Sequence, residues 1–314
     1  MGPQPRARTY QEILGNFVSG ATAGAVAKTT IAPLDRAKIV FQVSSKRSFS
    51  YRKCVQFLAS TVRENGVTMM WKGNSATMVR IVPYAAITYM SNESYKDYFK
   101  RKDPDGKLSH VYRFCSGSMA GLTASFSTYG LEVLRARMAV KSEYVSILQS
   151  LKYILKTEGV SSLYRGLAPT LIGVSVYGGT SFYVFGTLKN INPLSEYHSA
   201  DQVVFQKHSN SSSDGLLTEH RLLYGGFAGL CGQSISYPLD VTRRRMQTGG
   251  IKGDHLERYS TMRGTLSHIY QNEGIKRGLY KGLSLNFLKG PLASSISFTV
   301  FDYMNTVISG YESY

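Results

Sequence analysis

The sequence predicts an all-α membrane protein: six transmembrane helices in three tandem repeats of helix, surface helix, helix, around a pseudo-threefold axis. Three observations predict it. First, a short charged element, Pro33-Leu34-Asp35-Arg36-Ala37-Lys38, returns as Gly130-Leu131-Glu132-Val133-Leu134-Arg135 and again as Pro238-Leu239-Asp240-Val241-Thr242-Arg243. Second, the copies share a register. Gly20 and Gly24 precede Pro33 at the offsets by which Gly117 and Gly121 precede Gly130, and Gly225 and Gly229 precede Pro238. Tyr51, Tyr144 and Tyr259 likewise precede Gly66, Gly159 and Gly274 at one fixed spacing. Recurrence of that kind marks an internal repeat. Third, each charged element ends an apolar run long enough, at about 1.5 Å of rise per residue, to cross a hydrocarbon core of about 30 Å.

The elements follow in order. Residues 13–34 carry Lys28 as their sole charge, and Gly20 and Gly24 share a face that permits close helix approach in lipid. Lys28 lies well inside that span, which favours a water-filled interior over a snorkelling side chain. Residues 51–64 space Val55, Leu58, Ala59 and Val62 as an amphipathic surface helix. Residues 75–91 form the second span, with Arg80 and Pro83 inside it. The second repeat gives spans at 111–131 and 167–188 around a surface helix at 144–158, and 167–188 contains no charge at all. Residues 190–214 turn polar and rich in Ser and Asn, as a connecting loop would. The third repeat has spans at 222–239 and 283–301, the latter broken by Lys289, around a surface helix at 259–273. The repeats divide the chain into 1–105, 106–215 and 216–314.

Composition narrows the partners. The chain has 314 residues and a formal net charge of +17, so an anion is expected: nucleic acid, anionic lipid or a phosphorylated small molecule. The mean hydropathy of −0.16 is that of a soluble protein, so the membrane reading rests on how apolar residues are distributed. Cys54, Cys115 and Cys231 are far apart, which suggests neither a disulfide framework nor a zinc site. The start, Met1 to Arg8, is short and basic, and no cleavable signal peptide is expected.

The charged element Pro-x-acid-x-x-base, followed by Gly66, Gly159 or Gly274 and then by Trp71-Lys72-Gly73, Tyr164-Arg165-Gly166 or Tyr280-Lys281-Gly282, three times over, resembles the mitochondrial carrier family. The resemblance covers nearly the whole chain. It implies a multi-pass protein of the mitochondrial inner membrane that works by alternating access, with no enzymatic activity and no cofactor. The residues around Phe41-Gln42, Gly73-Asn74 and Arg243-Arg244-Arg245 are similar to those of members that exchange coenzyme A and adenosine 3′,5′-diphosphate for adenine nucleotides. An exchanger of the ATP/ADP type shares several of them and stays open.

The resemblance implies three ion pairs that close the matrix side: Asp35 with Arg135, Glu132 with Arg243, and Asp240 with Lys38, with Gln42 and Gln247 as braces and Ala139 where a third brace would stand. Such pairs can open because Coulomb gain and desolvation nearly cancel. A cytosolic gate is expected to be weaker, drawn from Glu93, Lys96, Lys189 and Asp302. Arg80, Gly173 and Lys289 occupy one depth of the even-numbered helices, where the family contacts substrate. Two bases there suit phosphates. Gly173 and Val174 offer a flat surface for an adenine ring with Tyr177 stacked on it, although Gly173 and Tyr177 equally suit helix packing. Lys28 and Arg244 complete the candidates, Arg244 also reading as part of a basic cluster. Lys72, Gly73, Arg165, Gly166, Lys281 and Gly282 resemble the family's cardiolipin sites, where helix N-termini meet lipid phosphate. A monomer is expected. Gly130 in place of Pro softens the second bend, and Asn65 departs from the acid expected before Gly66. The rival from another class is a soluble basic repeat protein that binds nucleic acid.

Overall fold

A computed structural model describes residues 10–45, 48–102, 110–141, 146–191, 214–249 and 259–311. The described residues form helices and connecting turns. In chain order these are α1 Tyr10–Val43, α2 Tyr51–Asn65, α3 Asn74–Lys102, α4 His110–Ser127, α5 Tyr129–Val140, α6 Ile147–Thr157, α7 Leu167–Ile191, α8 Asp214–Thr248, α9 Met262–Gly274 and α10 Leu283–Tyr311. The surface helices α2, α6 and α9 fall within or close to the expected segments; Tyr144, at the expected start of the second, lies outside the described residues. Of the expected polar loop, residues 192–213 also lie outside the described residues, and its flanks are helical.

The long helices extend beyond the expected spans. Pro33 and Pro238 sit inside continuous helices, α1 and α8. The second repeat differs. There the helix breaks at Thr128, with φ −102° and ψ 7°, two residues before Gly130. Thr128 Oγ1 donates to the Ala124 carbonyl at 2.7 Å, which satisfies an acceptor in the last turn of α4. In α1 and α8 the helix carries on through the proline; in the second repeat, without a proline, the helix is interrupted.

A second departure concerns the turn into each even-numbered span. Gly66 to Gly73 and Gly159 to Gly166 are seven steps apart, and both turns are 3₁₀ helices, Val67–Trp71 and Val160–Tyr164. Gly274 to Gly282 is eight steps, and the extra residue is absorbed as a π-helical turn, Ile275–Leu279.

The chain divides into two compact units, residues 168–240 and the remainder. In the larger unit α1 packs along α10 and α3 along α4, while α5 meets both α1 and α3. Ala37 and Phe41 of α1, Cys54 of α2 and Leu285 of α10 form one buried cluster, flanked by Phe49, Phe57 and Leu58. Ile39 and Val43 of α1 meet Ala139 and Val140 of α5 in another. The apolar stripe expected on α2 is split. Leu58 and Val62 are half-buried, whereas Val55 is 66% exposed and Ala59 is also exposed, and Cys54 and Thr61 face inward instead. In the smaller unit Tyr177 of α7 leans on the small-residue face of α8, its hydroxyl 3.6 Å from where a Cβ on Gly229 would stand.

Large apolar side chains remain exposed along the long helices, among them Met90 at 68%, Tyr183 at 76% and Phe298 at 67%. Apolar surface of that extent marks contact with lipid or a partner. Among the described residues one segment, Val160–Leu188, is by length and composition alone apolar enough to cross a membrane. The other long helices are diluted by polar and charged residues.

Candidate functional site

Charges from the repeated elements meet on α1, α5 and the end of α8. Asp35, 6% exposed, receives Arg135 Nη2 at 2.6 Å on one oxygen and Lys289 Nζ at 2.6 Å on the other. Glu132, 7% exposed, is paired with Arg243, and lies 3.6 Å from Arg80 and 3.7 Å from Arg244. The structure thus brings together the members of two of the three expected inter-repeat pairs. The third has its members in different units: Lys38 is buried in the larger, and Asp240 is half-buried in the smaller.

The local reason is helix geometry, since acid and base three residues apart share a face. Repeating the element on three helices presents that face three times.

Each acid holds more cations than the sequence suggests. Lys289 and Arg80, expected to await substrate, are bound to Asp35 and Glu132. Arg80 is further fixed by donation from Nε to Thr128 Oγ1 at 3.1 Å and by the Tyr84 ring, whose centre is 5.0 Å from its guanidinium carbon. Arg244 joins the same group, donating to Gln247 Oε1 at 3.0 Å. Lys28 is exposed, two turns before Asp35 on α1.

The braces are built differently from expectation. Gln247, fully buried, donates from Nε2 to the Tyr129 hydroxyl at 3.0 Å, and the centre of the Tyr129 ring lies 6.0 Å from the Arg243 guanidinium carbon. Gln42, also fully buried, accepts from Arg245 Nε on its backbone carbonyl at 3.1 Å. Tyr129 is a residue that sequence reasoning missed.

The adenine surface expected at Gly173 is partly occupied. A Cβ there would stand 3.5 Å from the Leu239 side chain, an ordinary contact, and Gly173 is half-buried. Val174 is 57% and Tyr177 43% exposed.

On α3 Glu93 accepts from Lys96 at 2.8 Å within the same helix. That is a pair within a repeat, not between repeats. Asp302 is exposed, and the Lys189 side chain lies outside the described residues.

Lys72 and Lys281, each 3% exposed, turn inward. Lys72 Nζ donates to the Lys141 carbonyl at 2.8 Å and Lys281 Nζ to the Ser44 carbonyl at 2.6 Å. Burial lowers the Lys281 pKa from the ordinary lysine value, opposed by the nearby Glu273 carboxylate. Arg165 is bound to Glu158 at 2.8 Å. The glycines beside them are required by the backbone. Gly73 has φ 86° and Gly166 φ 82°, and a Cβ on either would stand 3.0 Å from the carbonyl oxygen of Arg135 or Arg243.

Sequence reasoning also missed a further layer. Arg137 forms a fork with Glu158 at 2.6 and 2.9 Å, and Arg245 forms one with Glu273, its second bond at 2.7 Å. The signal is present in the repeat register: an arginine seven residues after Gly130 and Pro238, and an acid just before Gly159 and Gly274.

The family model described as "Mitochondrial carrier protein" matches residues 10–103, 106–194 and 217–312. The chain is 45% identical over 301 residues to the protein named "Mitochondrial coenzyme A transporter SLC25A42" of Xenopus laevis, covering 94% of this chain and 86% of that one. To the Homo sapiens protein of the same name it is 45% identical over 312 residues, covering 98% and 92%. To "Solute carrier family 25 member 16" of Mus musculus it is 41% identical over 309 residues, covering 96% and 90%.

Proposed function

Because the chain belongs to the mitochondrial carrier family, and is thus a solute transporter crossing the inner membrane several times, we propose that it carries coenzyme A and adenosine 3′,5′-diphosphate in exchange for adenine nucleotides. One observation carries the reading. The two bases best placed for phosphate, Arg80 and Lys289, are held by the same carboxylates that join the repeats, Glu132 and Asp35.

A substrate phosphate entering from the cytosolic side competes with Glu132 for Arg80 and with Asp35 for Lys289. A doubly charged phosphate is the stronger acceptor for a guanidinium fork. Each acid then keeps fewer cations, which lowers the cost of parting the repeats, and the site faces the matrix. Binding energy thus shifts a two-state equilibrium by favouring the state in which the pairs are broken. Lys28, on the same unit as Arg80 and Lys289, suits a further phosphate. Lys72, Arg165 and Lys281 anchor the turns at which cardiolipin phosphate would meet helix N-termini. The pairs Asp35–Arg135 and Glu132–Arg243 are completed within one chain, which supports a monomer as the working unit. Membership of a transporter family leaves no place for the soluble nucleic-acid-binding alternative.

The test is a substrate panel with purified protein in liposomes. Saturable uptake of coenzyme A and adenosine 3′,5′-diphosphate, dependent on internal nucleotide, is expected. Exchange of ATP for ADP without either substrate would replace this reading with an adenine-nucleotide exchanger.

A further inference from the structure

The three residues nine positions after Pro33, Gly130 and Pro238 are Gln42, Ala139 and Gln247. Each offers its backbone carbonyl to an arginine of another repeat, and in every case the donor is Nε. Arg36 reaches Ala139 at 3.3 Å, Arg137 reaches Gln247 at 2.9 Å, and Arg245 reaches Gln42 at 3.1 Å. The order is cyclic: first repeat to second, second to third, third to first. All three arginines are buried, at 7%, 3% and 1% exposure.

The three are not equivalent in sequence. Arg137 and Arg245 stand seven residues after Gly130 and Pro238, and their terminal nitrogens are taken by Glu158 and Glu273. The first repeat has neither partner: Val40 stands at the seventh position, and Asn65 stands before Gly66. Arg36 is one helical turn before Val40 and so projects from the same face. From there its Nη1 donates to the Met69 carbonyl instead of a carboxylate, and its guanidinium carbon lies 5.6 Å from the centre of the Phe57 ring.

We infer that Arg36 is a displaced substitute for the arginine–glutamate pair that the first repeat lacks at Val40 and Asn65, and that it completes a second cyclic set of inter-repeat ties that holds the matrix side closed alongside the carboxylate pairs. The inference rests on the carrier reading. Its three arginines are buried, whereas Arg80 and Lys289 are 24% and 25% exposed, so a substrate phosphate reaches those two and not the carbonyl ties. The carboxylate pairs therefore respond to substrate, while the carbonyl ties resist opening in its absence. Their loss should appear as leak, not as weaker substrate binding.

Two variants test this: Arg36→Ala, and the same change combined with Val40→Arg and Asn65→Glu, which moves the guanidinium and its acid to the positions used in the other repeats. In liposomes loaded with labelled nucleotide, efflux without external substrate, divided by the exchange rate, is expected to rise about fivefold in Arg36→Ala, the scale of one lost hydrogen bond. Thermal unfolding should shift downward. The combined variant should return both to near wild type, which simple loss of packing at Arg36 would not allow. If Arg36→Ala does not fold, Arg36→Lys should show a smaller rise in the same ratio, because an ammonium cannot make both bonds. An unchanged ratio in the Arg36 variants, or a combined variant no better than Arg36→Ala, overturns the inference. Should the wild-type protein transport none of the nucleotides, the proposed substrate falls, and the unfolding comparison among variants still decides the tie.

Discussion

Replacing Arg80 should cost the carrier far more in transport than in stability. Its pair with Glu132 is loose, at 3.6 Å, and the side chain is 24% exposed, so the pair is worth about 0–1 kcal/mol. Its hydrogen bond to Thr128 adds about 1 kcal/mol. Glu132 also keeps Arg243 and Arg244. Arg80→Ala should therefore lower the unfolding midpoint of the empty carrier by only a few degrees. Toward a phosphate the same guanidinium supplies two charge-assisted hydrogen bonds of about 1.5–3 kcal/mol each. Losing about 3–6 kcal/mol corresponds to a fall of roughly a hundredfold to ten-thousandfold in kcat/KM. Arg80→Lys keeps one contact of the two, so its fall should be about tenfold to a hundredfold. The assay is initial exchange of labelled coenzyme A in proteoliposomes at subsaturating concentration, with orientation and protein content held equal. Exchange by Arg80→Ala within about twofold of wild type would refute the assignment, since a change that small is below the worth of a single hydrogen bond.

Other outcomes follow from neighbouring residues. Arg245→Ala leaves Glu273 a half-buried acid without its fork, and removal of one partner of such a pair costs about 3–5 kcal/mol; the unfolding midpoint in detergent should drop by several degrees, more than for Lys100→Ala on the surface. Gly166→Ala combines φ 82° with a Cβ 3.0 Å from the Arg243 carbonyl, a strain of about 1–3 kcal/mol, so it should unfold earlier than Gly178→Ala, where open space surrounds the new methyl. Burial raises the Cys54 thiol pKa, and the residue is 3% exposed. At pH 7 it should react with a maleimide at least about tenfold more slowly than a free thiol, and denaturation should abolish the difference. Rapid labelling of the folded protein at Cys54 would disprove its placement between α1 and α2.

Expectation and structure agree most closely where one register governs several residues. The repeat register locates the surface helices and sets Asp35, Glu132, Arg135 and Arg243 at equivalent places on their helices, because three residues along a helix define a shared face whatever surrounds it. The same reasoning fails where side chains choose among several partners. The ammonium groups of Lys72 and Lys281 reach the carbonyls of Lys141 and Ser44, which lie far from them in sequence. Beside Gly173, where the missing side chain suggests a surface for an adenine ring, stands Leu239, which lies far from it in sequence. Glu93 and Lys96, two of the residues expected at the cytosolic gate, are close enough in sequence to satisfy one another on one helix.

Periodicity is a local property of the chain, and reading it was enough to establish the threefold repeat, the helical class and the places of the acids and bases on α1, α5 and α8. Which cation answers which acid could not be read that way. The choice depends on distances between repeats a hundred residues apart, and it is why Arg80 and Lys289 are bound to Glu132 and Asp35, and why Arg36 takes over a bond that Val40 cannot make.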